Sequence, residues 1–349
     1  MNGSEGAECA IKNEVYDDAR FALVLYFGTP IACIGIVFNT ILLILFWNRQ
    51  SITSSNIYLL FLALFDTLIC ILYIPFFTMD ALAIYCQIDY LHHLWHTYAL
   101  HLYGTSRFVQ FGAVYMMLCA TFERYVYVTD RRHFAWFITD SGRIMIVIIV
   151  LITAMILRFP TFFDYNIAYN GNCPPFQEYL FVPVLTAYST YVKYNFYIMS
   201  LVQTVLPFAF LTCFNLIIIY LTHKRLHYIP TNEQLDQSNR SDKVKTDLVD
   251  RIKRQDLKFA TRKMVAIVFI YLLCNVFSVL IIIMENIFPD SRILHNEDGS
   301  STKFYTITAD LISILVVLNS LLRLIVYIVC DPQLRQRFIN LFIKFRFEN

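Results

Sequence analysis

Charge is scarce in this sequence: Asp, Glu, Lys and Arg make up 15% of its 349 residues, too little to coat a soluble chain of that length. Glycine is scarcer still, at nine residues, and none of them builds a phosphate-cradling loop or a nucleophile elbow. His92, His93, His96 and His101 cluster, which raises a metal site, but two of their spacings fit no single helix face and no acidic or Cys ligand adjoins them. Interfacial and polar contacts are the reading preferred for them. The first twenty residues lack the basic start and short apolar core of a cleavable signal peptide and carry Glu5, Glu8, Glu14, Asp17 and Asp18 instead. The first apolar stretch is therefore expected to act as its own uncleaved signal. No enzyme chemistry, cofactor, resident metal or nucleic-acid partner is expected.

Apolar length is what the chain has in quantity, with 58% hydrophobic residues and a mean hydropathy of +0.54. Seven stretches suffice to cross about 30 Å of hydrocarbon at about 1.5 Å per residue. They lie near Phe21–Trp47, Asn56–Thr78, Tyr98–Tyr127, Gly142–Phe163, Tyr194–Leu221, Phe259–Phe288 and Phe304–Val329. With the amino terminus outside, only Lys12, Arg20, Lys193, Arg292 and Lys303 of the 28 Lys and Arg residues lie outside, as the positive-inside rule prefers. The fold expected is all-α: a seven-span bundle (21–329) after an outer arm (1–20). A short amphipathic interfacial helix follows the last span (330–349).

Two connections carry their own pattern. The linker 223–258 is polar and rich in both charges, which describes a solvated extension of the fifth and sixth spans; the same residues would serve a partner-binding surface. After Asp331-Pro332, the residues Leu334, Phe338, Ile339, Leu341 and Phe342 interleave with Arg335, Arg337, Lys344 and Arg346. That alternation suits a helix lying on membrane lipid rather than crossing it, and Pro332 suits its first turn.

Ionisable groups inside apolar spans are functional candidates, because a bare charge in hydrocarbon costs roughly 3 kcal/mol even on lenient scales. Glu123-Arg124-Tyr125 closes the third span; the alternative is an interfacial pair that snorkels to headgroups. Asn39, Asp66, Asn319 and Arg323 form a buried polar set. A lone Asp and a lone Arg at midplane are cheapest facing each other, with the Asn side chains filling the remaining hydrogen bonds; Arg323 reaching to water is the alternative. Cys9, Cys86 and Cys173 remain on the oxidising side, where one disulfide of open pairing is expected.

Glu-Arg-Tyr at the end of the third span, Asn39, Leu62-Ala-Leu-Phe-Asp66, Pro207 and Tyr327, in this order and spacing, resemble the rhodopsin-like G-protein-coupled receptors. Arg158-Phe-Pro-Thr-Phe-Phe163-Asp164, Cys274-Asn275, Glu285 and Asn319-Ser320 are similar to invertebrate FMRFamide-type neuropeptide receptors. The resemblance implies a plasma-membrane receptor that binds an extracellular peptide and activates a heterotrimeric G protein. Glu123 would hold Arg124 at rest, with Asp256 beside the usual sixth-helix partner position and Tyr327 completing the switch. Several positions depart from the family: Ala99 stands where a third-helix Cys is usual, Phe277 where the sixth helix has its kink Pro, and Arg323-Leu324 where the seventh has Asn-Pro. Arg323 beside Asp66 implies an internal guanidinium in place of the family's sodium ion. An opsin is excluded, because the seventh span has no midplane Lys for a Schiff base.

The acidic outer surface favours a cationic ligand. Glu285 and Asp310 are the candidate contacts for the guanidinium of an amidated Arg-Phe peptide, with simple rim solvation as the alternative. Tyr191 and Tyr194 are candidates for an aromatic side chain, or else members of the lipid-interface belt. Arg107 and Arg158 either meet a ligand carboxyl or backbone, or pair with Asp164, Glu178 or Tyr groups. A chemosensory receptor for a small odorant is the second functional reading, which a dry, apolar pocket would favour.

Overall fold

The computed structural model describes residues 18–47, 56–129, 132–227, 240–287, 293–294 and 302–347. Its helices, in chain order, are α1 (Asp18–Phe46), α2 (Ile57–Tyr85), α3 (Asp89–Thr129), α4 (Asp140–Phe163), α5 (Ser189–Lys224), α6 (Arg240–Ile287), α7 (Lys303–Cys330) and α8 (Pro332–Phe347). Six of these, α1, α2, α4, α5, α6 and α7, carry a segment long and apolar enough to cross a membrane. The helix α3 is 41 residues long and touches α2, α4, α5 and α6. It is the central helix, which is why polar residues such as Arg107, Gln110, Glu123 and Arg124 dilute its apolar character. It starts at Asp89 rather than near Tyr98, because His92, His96 and Ala99 prolong its buried face.

Proline writes the irregularities of the bundle. A proline inside a helix removes one hydrogen bond and collides with the carbonyl four residues back. In α1 and α5 the turn just before Pro30 and Pro207 opens into a wide π-helical segment (Ala22–Gly28 and Leu201–Val205), and in α2 Pro75 lies within one (Ile74–Thr78). Phe277 stands in α6, and that helix runs unbroken for 48 residues, about 70 Å at the usual rise. The helix α6 begins at Arg240, within the polar stretch 223–258.

The core is densest where α2 packs against α1, α3 and α7, around Tyr58, Leu62, Met116, Met117 and Tyr327. Gly112 permits the close approach of α3 to α2, since a Cβ there would sit 2.7 Å from Cζ of Phe65. At one end of the bundle lies an element that the all-α expectation omitted, an antiparallel hairpin of β1 (Tyr165–Tyr169) and β2 (Tyr179–Pro183). Tyr, Ile, Phe and Val suit such strands, but with five residues each they are too short to announce themselves among apolar helices. At the other end, Asp331 turns the chain into α8: its carboxylate accepts from the backbone N–H of Leu334 at 3.1 Å and from Nζ of Lys263 on α6 at 2.8 Å.

Candidate ligand cavity and polar switch

A cavity of about 770 Å³ opens among the helices beneath the hairpin, a size typical of ligand sites. Tyr165, Pro183 and Thr186 line its hairpin end, and Asp66 and Arg323 its deep end. Between them stand Tyr103, Arg107, Gln110, Arg158, Glu285 and Tyr305. Arg107 lies over the ring of Tyr103, 5.1 Å from its centroid, and Arg158 over Phe111 at 5.8 Å. Nε of Arg158 is buried without a hydrogen-bond partner among the described residues. Glu285 accepts a 2.7 Å hydrogen bond from the hydroxyl of Tyr305. The wall thus sets charged groups of both signs among apolar side chains such as Ile69, Phe76 and Ile282.

Three sequence expectations about this cavity change. Asp310 lines it but is already engaged, accepting a 2.8 Å hydrogen bond from Nε of Arg20 in α1, with Asp80 3.7 Å from the same guanidinium. A buried carboxylate so near the first helix recruits the nearest cation; of the three acids lining the cavity, Asp66, Asp310 and Glu285, the last is the one with no ion pair among the described residues. Tyr191 donates a 2.5 Å hydrogen bond to Asp164 instead of facing a ligand, and Tyr194 packs 6.1 Å from the Tyr191 ring. Glu178, one partner considered for the arginines, points to His93 at 3.6 Å. Burial at the hairpin base pushes the Asp164 carboxyl above its ordinary range, against the pull of the Tyr191 hydroxyl and the two arginines.

The cavity floor is a buried network. Asp66 on α2 accepts from Nη1 of Arg323 and, at 2.8 Å, from the hydroxyl of Ser320, both on α7. The Asp66–Arg323 contact is the one the sequence called for; its supporting donor is Ser320 rather than the Asn residues. Asn39 spends its amide on the carbonyls of Gly35 and Ser320, at 2.9 and 3.1 Å, and Oδ1 of Asn319 has no hydrogen-bond partner.

At the end far from the hairpin, Glu123 does not hold Arg124. Its Oε1 accepts from both Nε and Nη2 of Arg143 on α4, at 3.1 and 2.9 Å, and Arg143 also reaches Asp140 at 3.1 Å. A forked guanidinium on the neighbouring helix outcompetes an adjacent residue whose side chain leaves α3 in another direction. Nη2 of Arg124 meets Oγ1 of Thr261 on α6 at 3.4 Å, and its guanidinium lies 5.4 Å from the Tyr127 ring. Asp256 lies in α6, but its side chain is outside the described residues. Tyr125 packs against Phe214 at 5.2 Å. Tyr327 is fully buried, with Nζ of Lys263 5.6 Å from its ring centre.

Of the cysteine candidates, Cys173 in the hairpin loop is disulfide-bonded and Cys86 is an exposed free thiol, so Cys86 is not its partner. Cys9 lies outside the described residues. Sequence reasoning missed Arg20, Arg143 and Ser320; the first two were counted as loop charges when each begins a helix.

A helical bundle with a charged cavity at one end and, at the other, an acid–arginine–tyrosine triplet whose arginine meets the sixth helix is built as a membrane receptor. Residues 39–327 match the family described as 7 transmembrane receptor (rhodopsin family), and the chain belongs to that family, whose members are receptors and not enzymes. It is also 24% identical over 308 residues to a Caenorhabditis elegans protein named FMRFamide peptide receptor frpr-18, an alignment that covers 88% of this chain. The chain spans 66% of that relative's length.

Proposed function

We propose that α3 is the seventh span, that the hairpin end faces the extracellular medium at the plasma membrane, and that the cavity binds a short amidated peptide. Binding there shifts the far ends of α3, α5 and α6 so that Arg124 leaves Thr261 and engages a heterotrimeric G protein. The observation that carries this reading is the charged lining. Glu285 takes a guanidinium or ammonium, while Arg107 and Arg158 take peptide carbonyl oxygens or an acidic side chain, which an apolar odorant does not offer. The ligand therefore carries oxygen acceptors as well as a cation, a requirement the acidic outer surface alone did not reveal. The cavity ends on Arg323, so an occupant bears directly on the α2–α7 contact. Such a switch requires two states a few kcal/mol apart, biased by contacts made in only one of them.

The test is a second-messenger assay in cells expressing the chain, challenged with a panel of short amidated peptides. A response right-shifted about tenfold or more by Glu285→Gln and by Arg107→Gln supports the reading, that factor corresponding to one charge-assisted hydrogen bond. Silence to every peptide at confirmed surface expression, with a response to small apolar molecules, overturns it in favour of a chemosensory receptor.

A further inference from the structure

The four histidines at the start of α3 divide by environment. His92 and His96 are buried; Nδ1 of His96 donates a 2.8 Å hydrogen bond to the His92 carbonyl, and the ring stacks on Tyr179 with centres 4.1 Å apart. His101 is exposed. His93 differs from all three: its Nδ1 is 2.7 Å from the Tyr179 hydroxyl, and its Nε2 faces two carboxylates, Oδ1 of Asp89 at 3.3 Å and Oε2 of Glu178 at 3.6 Å. The three ligand atoms lie within 4.8 Å of one another. Acidic ligands therefore do accompany the histidine. One sits a helical turn earlier, and the other is delivered by the hairpin from far along the chain.

We propose that Asp89, His93 and Glu178 form a binding site for a transition-metal dication of the zinc type, pinning the β-hairpin to the first turn of α3. Tetrahedral zinc holds nitrogen and oxygen ligands at about 2.0–2.2 Å, which places neighbouring ligand atoms about 3.3–3.5 Å apart. The His93–Asp89 and His93–Glu178 separations stand at that spacing with little rearrangement. A second observation points to a ligand: Oε2 of Glu178 is buried and has no hydrogen-bond partner among the described residues, in a side chain only 15% exposed. The imidazole is also oriented from behind. A proton on Nδ1 donated to Tyr179 leaves the Nε2 lone pair for the metal, the arrangement typical of histidine ligands, and the His96 stack holds Tyr179 in place. Two carboxylates and a neutral imidazole carry a net charge of −2, which a dication neutralises. Calcium and magnesium are disfavoured, because they require six or more oxygen ligands. The fourth position faces solvent beside Asp89, whose side chain is 60% exposed, and takes a water molecule. Bound metal would hold the hairpin over the cavity mouth and so slow exchange of whatever occupies it.

The test uses the full-length receptor purified in detergent micelles, stripped with a chelator and titrated with Zn²⁺ against a chromogenic competitor. One saturable equivalent is expected. His93→Gln and Glu178→Gln should lose it, Tyr179→Phe should weaken it about tenfold as loss of an outer-shell partner does, and His101→Gln should leave it unchanged. Asp89→Asn, at an exposed position that cannot disturb packing, should weaken it in a receptor with unaltered thermal unfolding. Millimolar Ca²⁺ or Mg²⁺ should not compete. Equal zinc uptake by the wild type and His93→Gln, or no change with Asp89→Asn, overturns the proposal.

Discussion

Among the described residues two acid–guanidinium pairs have both side chains no more than 10% exposed, and they are not alike. Asp66 and Arg323 have side chains 0% and 4% exposed, and the acid carries a second donor from Ser320. Glu123 and Arg143 are 7% and 10% exposed, and Arg143 is shared with Asp140, whose side chain is 63% exposed. The first pair joins α2 to α7 at the deep end of the cavity, with the Ser320 hydroxyl as the acid's second donor. The second joins α3 to α4 at the rim, where Glu123 has a free oxygen, Oε2, and a second guanidinium next to it in sequence. A pair sealed at the centre fixes the resting bundle, while a pair at the edge with an exchangeable partner suits a switch.

Breaking the central pair should have the largest effect. Arg323→Leu leaves a buried carboxylate without its cation, which costs about 3–5 kcal/mol, so most folded receptor should disappear from a thermal-unfolding assay in micelles. Adding Asp66→Leu should restore folding, because removing both charges is often neutral. A double variant no more stable than the single one would show that the pair is not the reason for the loss.

Breaking the rim pair should cost less stability and change signalling more. Arg143→Gln gives up charge-assisted hydrogen bonds worth about 1.5–3 kcal/mol in total, softened by nearby water. It also frees Glu123 to turn to Arg124. Second-messenger output without ligand should therefore fall below the wild-type level; an unchanged or raised output would mean that Glu123 does not exchange partners. Thr261→Val probes the other side of the same arginine. Its 3.4 Å contact is long, so stability should change by less than about 1 kcal/mol, while basal output rises.

The smallest effect sharpens the contrast at the end of α7. Burial raises the Asp331 carboxyl, but Lys263 and the backbone N–H groups of Leu334 and Gln333 outweigh it and hold the carboxyl below its usual range. A depressed carboxyl contributes stability that is fully present above the unfolded value of about 3.9 and is lost as the pH falls through the folded value. Asp331→Asn keeps the cap but gives up the ion pair with Lys263, and should thus destabilise by only about 0.5 kcal/mol, equally at pH 6 and pH 8. A difference between those two pH values would assign the effect to another group.

The same contrast explains what the sequence disclosed. A lone Asp and a lone Arg in apolar spans have few ways to be satisfied, so Asp66 and Arg323 could be matched before any coordinates. Phe277, standing where the family has its kink Pro, likewise goes with an uninterrupted α6, whereas the widened turns beside Pro30, Pro75 and Pro207 were not anticipated. At the ends of the bundle, water makes many pairings nearly equal in energy, and the fold chooses among them. Arg143 and Arg20 each had several acids within reach, and Glu178 reaches His93 only because the short hairpin turns the chain back over α3. The cavity's two arginines were visible one by one, but their meeting depends on how α3 and α4 pack.

Guanine-nucleotide exchange by a purified heterotrimeric G protein, mixed with the purified receptor and an amidated Arg-Phe peptide, tests the receptor reading most directly. Acceleration by the wild type that disappears in Arg124→Ala, with peptide binding retained, is the expected result. Exchange no faster than with empty micelles while peptide is bound, or the same acceleration by Arg124→Ala, would contradict a switch that runs from the charged cavity to the end of α3.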